Sequence, residues 1–203
     1  MDDKYYTIAN PAQHEIKIKG SRFIADCGFV ASIDDALDIL EAIHKREYAA
    51  THHCYAWRVG LFDQKTFKYS DNGEPSGTAG KPIYDIIHGR QIDNVIMVVT
   101  RYYGGTKLGT GGLVRAYSEA AIGAIEKAGK KENYLTSQFR VKIDFSLYDQ
   151  LMRLTNRLGA KQISSEYSDK VNLIIEIRQT LSDVLMKEII QLSSGKAKIE
   201  KIS

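Results

Sequence analysis

The sequence predicts an α+β protein made of two domains, residues 1–133 and 134–203. Three observations predict it. Segments alternating apolar and polar residues at period 2 are interleaved with segments whose apolar residues recur at helical spacing. Glycine, Asn-Gly and proline mark the joints between them. The order of segments also changes at Tyr134, at the end of the polar stretch "GKKENY", residues 129–134, which reads as the boundary.

In "HEIKIKG" Ile16 and Ile18 share a face, and in "RFIADCGFV" Phe23, Ala25, Cys27 and Phe29 do, so both segments predict strands. "SIDDALDILEAIHKREY" predicts a helix: Ser32 caps it, Asp34 and Asp35 sit in the first turn, and bases lie near its end. Ala36, Ile39, Leu40 and Ile43 form its apolar stripe. "THHCYAWRVG" and "KTFKYS" read as a hairpin around "LFDQ", and "SDNGEPSGTAGK" is loop by composition. Pro82 opens a short helix, "PIYDIIHG", that stops at Gly89. "NVIMVVT" is a continuous apolar run suited to a central strand. A helix then runs from about Leu113 to Ala128 and closes at Gly129.

Beyond Tyr134, "SQFRVKIDF" alternates as a strand. "LYDQLMRLTNRLG" sets Leu147, Leu151, Leu154 and Leu158 on one stripe, with Gly159 as its cap. "KQISSEY" and "KVNLIIEIR" are strands joined at Ser168–Asp169. "LSDVLMKEIIQLSSG" stripes Leu181, Leu185, Ile189 and Leu192, and "KAKIEKIS" ends the chain as a strand. The order βαββαβ is that of a ferredoxin-like domain.

With 43% hydrophobic and 26% charged residues the chain has the material for a packed core. Its longest apolar run, Val95–Val99, is far too short to cross a bilayer, and the acidic start "MDDKYYTIAN" carries no secretory signal. Cys27 and Cys54 form no CxxC pair, so reduced thiols and a cytoplasmic location are expected, without a membrane partner. The net charge of +3 lies wholly in residues 134–203, because residues 1–133 balance. That is too little for a nonspecific nucleic-acid coat, so anion binding has to come from local geometry.

The tract "RYYGGTKLGTGGLVRAYSEA" offers such geometry. A strand that enters a glycine-rich turn and opens a helix gathers unpaired backbone N–H groups around one point, which suits phosphate or carboxylate. Gly104, Gly105, Gly109, Gly111 and Gly112 permit close approach, and Arg101, Lys107 and Arg115 supply charge without an intervening acid. A second reading is a tight turn whose glycines serve only strand–helix packing. Named nucleotide loops do not fit: Thr110 and Gly111 follow where a Walker loop needs Lys-Ser/Thr, and Val114 breaks the dinucleotide fingerprint.

Gly77, Gly80 and Lys81 precede the helix at Pro82, so a second helix start faces the same question. Asp71 and Glu74 there are acid/base or metal-ligand candidates, or solvated capping residues. In "THHCYAW" a strand sets His52 and Cys54 on one face, His53 and Tyr55 on the other. Two ligands per face fall short of a zinc site, and a packed strand with a polar histidine is the simpler reading. No metal or cofactor is expected. Tyr102, Tyr103 and Tyr117 flank the basic tract, either to stack on bases or to pack on a sheet with wet hydroxyls.

Taken together, "ATHHCYAWRVG", "SDNGEPSGTAGKPI" and "VVTRYYGGTKLGTGGLVRAYSEA" resemble the IMPACT/YigZ family over most of residues 15–128. Residues 135–203 resemble the smaller C-terminal domain of its bacterial members. Asn72 stands where the family commonly has a second aspartate. The resemblance implies an N-terminal domain like the second domain of small-subunit ribosomal protein five and domain IV of elongation factor G. It implies a C-terminal domain like domain V of that factor. It also implies translational control, which eukaryotic relatives exert in amino-acid starvation, and RNA or ribosome association in bacterial ones.

Three functions follow as expectations. The first is an RNA- or ribosome-associated regulator of translation, with Lys81, Arg101, Lys107 and Arg115 on phosphates and the glycine amides fixing the backbone. The second is an enzyme acting on a small phosphorylated or carboxylated metabolite, with His52, Glu74 and Asp71 as acid/base candidates. The third is a protein-interaction module with a partner in translation control.

Overall fold

The apolar run at 95–99 becomes the middle strand of a five-stranded antiparallel sheet. In the computed structural model, which describes residues 3–202, the chain runs β1 (Lys4–Ile8), β2 (Ala12–Ile18), β3 (Ser21–Phe29), α1 (Ile33–Arg46), β4 (His52–Val59), β5 (Thr66–Ser70), α2 (Gly80–Gly89), β6 (Val95–Tyr102), α3 (Thr110–Ala128) and β7 (Lys130–Tyr134). It continues through β8 (Thr136–Ile143), α4 (Tyr148–Arg157), β9 (Lys161–Tyr167), β10 (Val171–Arg178), α5 (Ser182–Leu192) and β11 (Lys198–Lys201). The large sheet has the order β2-β3-β6-β4-β5. From Val95 to Val99 β6 is apolar at every step because both faces are covered. Val95, Met97 and Val99 join Ile83, Ile87, Leu113 and Tyr117 of α2 and α3. Ile96 and Val98 join Ala36 and Ile43 of α1 on the other face.

Local signals place most boundaries. Ser32 and Asp35 form a capping box on α1, each side chain accepting from the other's backbone N–H. α2 begins at Gly80, two residues before Pro82, and α3 begins at Thr110, so Gly111 and Gly112 lie in its first turn rather than in the loop. Residues 130–134, within the stretch read as the domain boundary, form β7, which pairs with β1. "KKENY" has no apolar alternation, and its partner lies at the far end of the domain in sequence, so no local pattern announces it.

The described residues divide into two units: Tyr5–Asn133, and a second that holds residues 134–202 together with Asp3 and Lys4. In the second unit the sheet order β11-β8-β10-β9, all antiparallel, with α4 and α5 in the two crossovers, is the ferredoxin-like arrangement read from the pattern. Phe139, Val141, Leu173 and Ile175 pack there with Leu151, Leu185 and Ile189. Asp3 belongs to this unit because Arg178 and Thr180 donate hydrogen bonds to its carboxylate at 3.0 and 2.6 Å. No helix among the described residues is long and apolar enough to cross a membrane.

Candidate anion site at the start of α3

Two glycine-rich tracts each precede a helix, and the structure treats the two helix starts differently. At α2 the first-turn amides already have an anion. Asp71 Oδ1 accepts from the N–H of Ala79 and Gly80 at 2.9 and 2.8 Å, and Oδ2 accepts from Gly77 at 2.8 Å. A carboxylate at a helix N-terminus is stabilised both by those orphan donors and by the dipole. Asp71 therefore serves as the cap of α2, and with Pro82 lacking an N–H only the Lys81 amide of that first turn has no partner among the described residues. Lys81, placed beside that start by the sequence reading, lies on the exposed face of α2 with Nζ 2.7 Å from Asp85.

The start of α3 is open. Its N-cap is Gly109 at φ 73°, with no side-chain cap, and the first amide to find a carbonyl is that of Leu113, on Gly109 at 2.9 Å. Among the described residues the N–H groups of Thr110, Gly111 and Gly112 have no partner. Lys107 and Arg115 are exposed on either side and make no ion pair or hydrogen bond among the described residues. The five glycines divide by role. Gly104 lies against the backbone of Gly20, where a Cβ would sit 1.9 Å from a carbonyl carbon, so it serves close packing. Gly105 and Gly109 need positive φ, whereas Gly111 has open space around it and no such need.

Arg101 is placed otherwise than the sequence reading expected. Its neighbours come from three segments, β3, the β5–α2 loop and the end of β6: Nη1 is 2.5 Å from Glu74 Oε1, Nη2 is 3.4 Å from Ser21 Oγ, and the guanidinium lies over the rings of Phe23 and Tyr103. It is a buried strut, not an exposed phosphate contact. Glu74 also accepts from the Tyr117 hydroxyl at 2.8 Å, so the β5–α2 loop, the end of β6 and the second turn of α3 meet at one carboxylate. Tyr117 is fully buried, which removes it from base stacking, and burial raises its phenol pKa. Tyr102 donates to Glu47 at 2.8 Å, and Tyr103 remains exposed. No sequence pattern announces the Tyr117–Glu74 bond; the one local hint is that Tyr117 falls on the buried stripe of α3 with Leu113, Ala120 and Ala124.

His52 and Cys54 share a face, as alternation requires. The Cys54 thiol is 2.9 Å from the Asp71 carbonyl and 3.3 Å from the Tyr117 hydroxyl, and burial pushes its pKa up to about 12, so it is no nucleophile. His52 Nδ1 lies 2.8 Å from the Asn72 carbonyl, which can only accept, so Nδ1 carries the proton. Nε2 lies 3.9 Å from Glu74 Oε1. His53, on the other face, packs its ring against His44 of α1. Asn72, at φ 42°, accepts from the His53 N–H at 2.9 Å through its side-chain oxygen, a role a carboxylate fills equally well. No group of three or more His, Cys, Asp or Glu among the described residues could hold a metal ion.

Comparison with known proteins matches residues 19–125 to the Impact N-terminal domain and residues 141–196 to a domain of unknown function, DUF1949. An IMPACT family member of Bacillus subtilis, YvyE, is 32% identical over 99% of this chain and 92% of its own length. The IMPACT family member YigZ of Escherichia coli is 32% identical over 79% of each chain. A crystal structure described as that of a hypothetical protein superposes with a TM-score of 0.69, at 28% identity, covering 100% of this chain and 98% of the other.

Proposed function

This chain belongs to the IMPACT family, and from that premise we infer that it is an RNA- or ribosome-associated regulator of translation that holds phosphate groups at the start of α3. The carrying observation is the uncapped first turn of α3, flanked by Lys107 and Arg115 with no partner of their own among the described residues. Backbone amides there would fix one phosphate, and the two side chains would neutralise it and its neighbours. Arg101 contributes indirectly, by holding the strand that enters the loop. The likeness of the two units to domains IV and V of elongation factor G, implied by the family resemblance, belongs to the same proposal. The antiparallel βαββαβ unit at 136–201 supports it.

Binding to an RNA oligomer, or to ribosomes, measured against salt tests the reading. Wild type is expected to give a log K that falls linearly with log salt. Lys107→Ala with Arg115→Ala should lower the slope by about one for each phosphate no longer neutralised. A flat plot, or an unchanged slope in the double variant, would sink it.

A second reading, an enzyme for a small phosphorylated or carboxylated metabolite, is favoured by His52. Its proton is fixed on Nδ1 by Asn72, which leaves Nε2 with a lone pair as a general base requires. Stabilisation of the fold by a small organic phosphate in a thermal-shift screen, with RNA inert, would put this reading first.

A further inference from the structure

The large sheet ends at β2, whose outer edge pairs with no group among the described residues. Sheet edges are commonly kept short or broken, because open peptide groups invite another strand. β5 has five residues, β11 has four, and β9 shifts register against β10 at Ile174/Ile175. β2 instead runs for seven residues in unbroken register with β3 and contains no proline.

The two faces of β2 differ. Ala12, Ile16 and Ile18 pack with the core beneath α3 yet stay partly exposed, and His14 lies against Gly123 of that helix. On the other face Gln13 donates to Asp26, and Glu15 Oε2 is 2.8 Å from Arg22 Nε. Lys17 is less well placed. It stands across from Arg22, a like charge, and its Nζ is 3.9 Å from Glu15 Oε1, beyond hydrogen-bond reach.

The hairpin fixes which peptide groups point outward. Lys19 and Gly20 have φ 46° and 81°, and Ile18 pairs with Ser21, so the turn is a two-residue one whose flanking pair exchanges both backbone bonds. Alternation then directs the N–H and C=O of Ile18, Ile16, His14 and Ala12 toward β3, and those of Gln13, Glu15 and Lys17 outward. A second β2 laid antiparallel on this edge has several registers in which outward groups meet. One sets Glu15 opposite Glu15, another Lys17 opposite Lys17. The register with Ile16 on the two-fold axis sets Glu15 of each copy opposite Lys17 of the other, as hydrogen-bonded pairs. It also brings the two Ile16 side chains together as the closer, non-bonded pair.

We propose that β2 pairs with β2 of a second copy of this chain, antiparallel about Ile16, joining the two five-stranded sheets into one. Lys17 thereby gains a carboxylate that its own chain holds out of reach, and the partly exposed Ile16 is covered. The pairing is independent of the nucleic-acid reading and stands whether or not α3 holds phosphate.

Sedimentation equilibrium of the full chain is expected to show monomer and dimer in exchange. Glu15→Lys or Lys17→Glu places like charges at both pairs and should raise the dissociation constant about tenfold. An equal mixture of the two variants restores opposite charges at both pairs and should associate about as tightly as wild type. Both side chains are exposed, so the variants should fold, which circular dichroism checks. Ile16→Cys reports the register. Its α-carbons would lie about 4.5 Å apart across the axis, within disulfide range. Oxidation should therefore cross-link Ile16→Cys and spare Ile18→Cys, which would face His14 of the other copy. A monomer at every concentration overturns the proposal. So does a dimer indifferent to both reversals, a mixture that fails to recover, or cross-linking as efficient through Ile18→Cys.

Discussion

Arg101 at the end of β6 and Glu74 in the loop before α2 form a buried ion pair, 2.5 Å from Nη1 to Oε1, with side chains 6% and 3% exposed. Through the second hydrogen bond of Glu74, to Tyr117 of α3, the pair ties both glycine-rich tracts to one point. Removing one partner of a buried pair leaves the other charge uncompensated, which costs far more than the pair contributes. Arg101→Ala is expected to destabilise the fold by about 3–5 kcal/mol in urea unfolding. Arg101→Met combined with Glu74→Gln should recover part of that loss. A stable Arg101→Ala would show that the pair is not buried as described. Loss of RNA binding in that variant is thus not evidence of a missing phosphate contact.

The glycines of the tract should separate by substitution. Gly104→Ala drives a methyl into the Gly20 backbone and should cost at least about 1–3 kcal/mol, because neither backbone can withdraw. Gly111→Ala meets nothing and improves helix propensity, so it should raise stability by about 0.5 kcal/mol. If the α3 amides hold phosphate, the same Gly111→Ala variant should bind RNA less well while melting higher, since its methyl stands where the anion approaches.

Asp3 should make the second unit acid-sensitive over a defined window. Its hydrogen bond from Arg178, with help from Thr180, holds its pKa down at about 2. A carboxylate depressed on folding contributes stability that is fully present above its unfolded pKa of about 3.9 and is lost as pH falls through its folded value. Asp3→Asn is expected to cost about 1–2 kcal/mol at pH 7, and the gap to wild type should close between about pH 4 and pH 2 in urea titrations. A gap independent of pH would refute the assignment.

Cys27 and Cys54 should be inert in the folded protein. Burial raises both thiols to about 12, so almost no thiolate exists at pH 8. Iodoacetamide should label neither without denaturant and both in concentrated urea. Rapid native labelling of Cys54 would reopen a nucleophilic role.

Strands and helices were legible where the pattern is local. The Ser32–Asp35 box, the β6 apolar run and the Leu151/Leu154 stripe each state their own element within a few residues. β7 was not legible, because an all-polar strand is defined only by the partner that pairs with it. For the site, the sequence marked the residues but not their orientation. Asp71 in a turn read more simply as a solvated or capping residue than as a catalytic acid, and its eight-residue reach to Ala79 came only with the fold.

By itself the sequence determined the α+β class, the βαββαβ order of the second unit and the presence of two glycine-rich helix starts, since periodicity and turn chemistry act between near neighbours. Only the tertiary structure decided which helix start is open, that Arg101 points inward to Glu74, and that Gly104 serves the Gly20 backbone. Each of those depends on groups brought together from distant parts of the chain, where burial makes a charge seek its partner and contact distance admits no side chain. Local spacing carries no record of either.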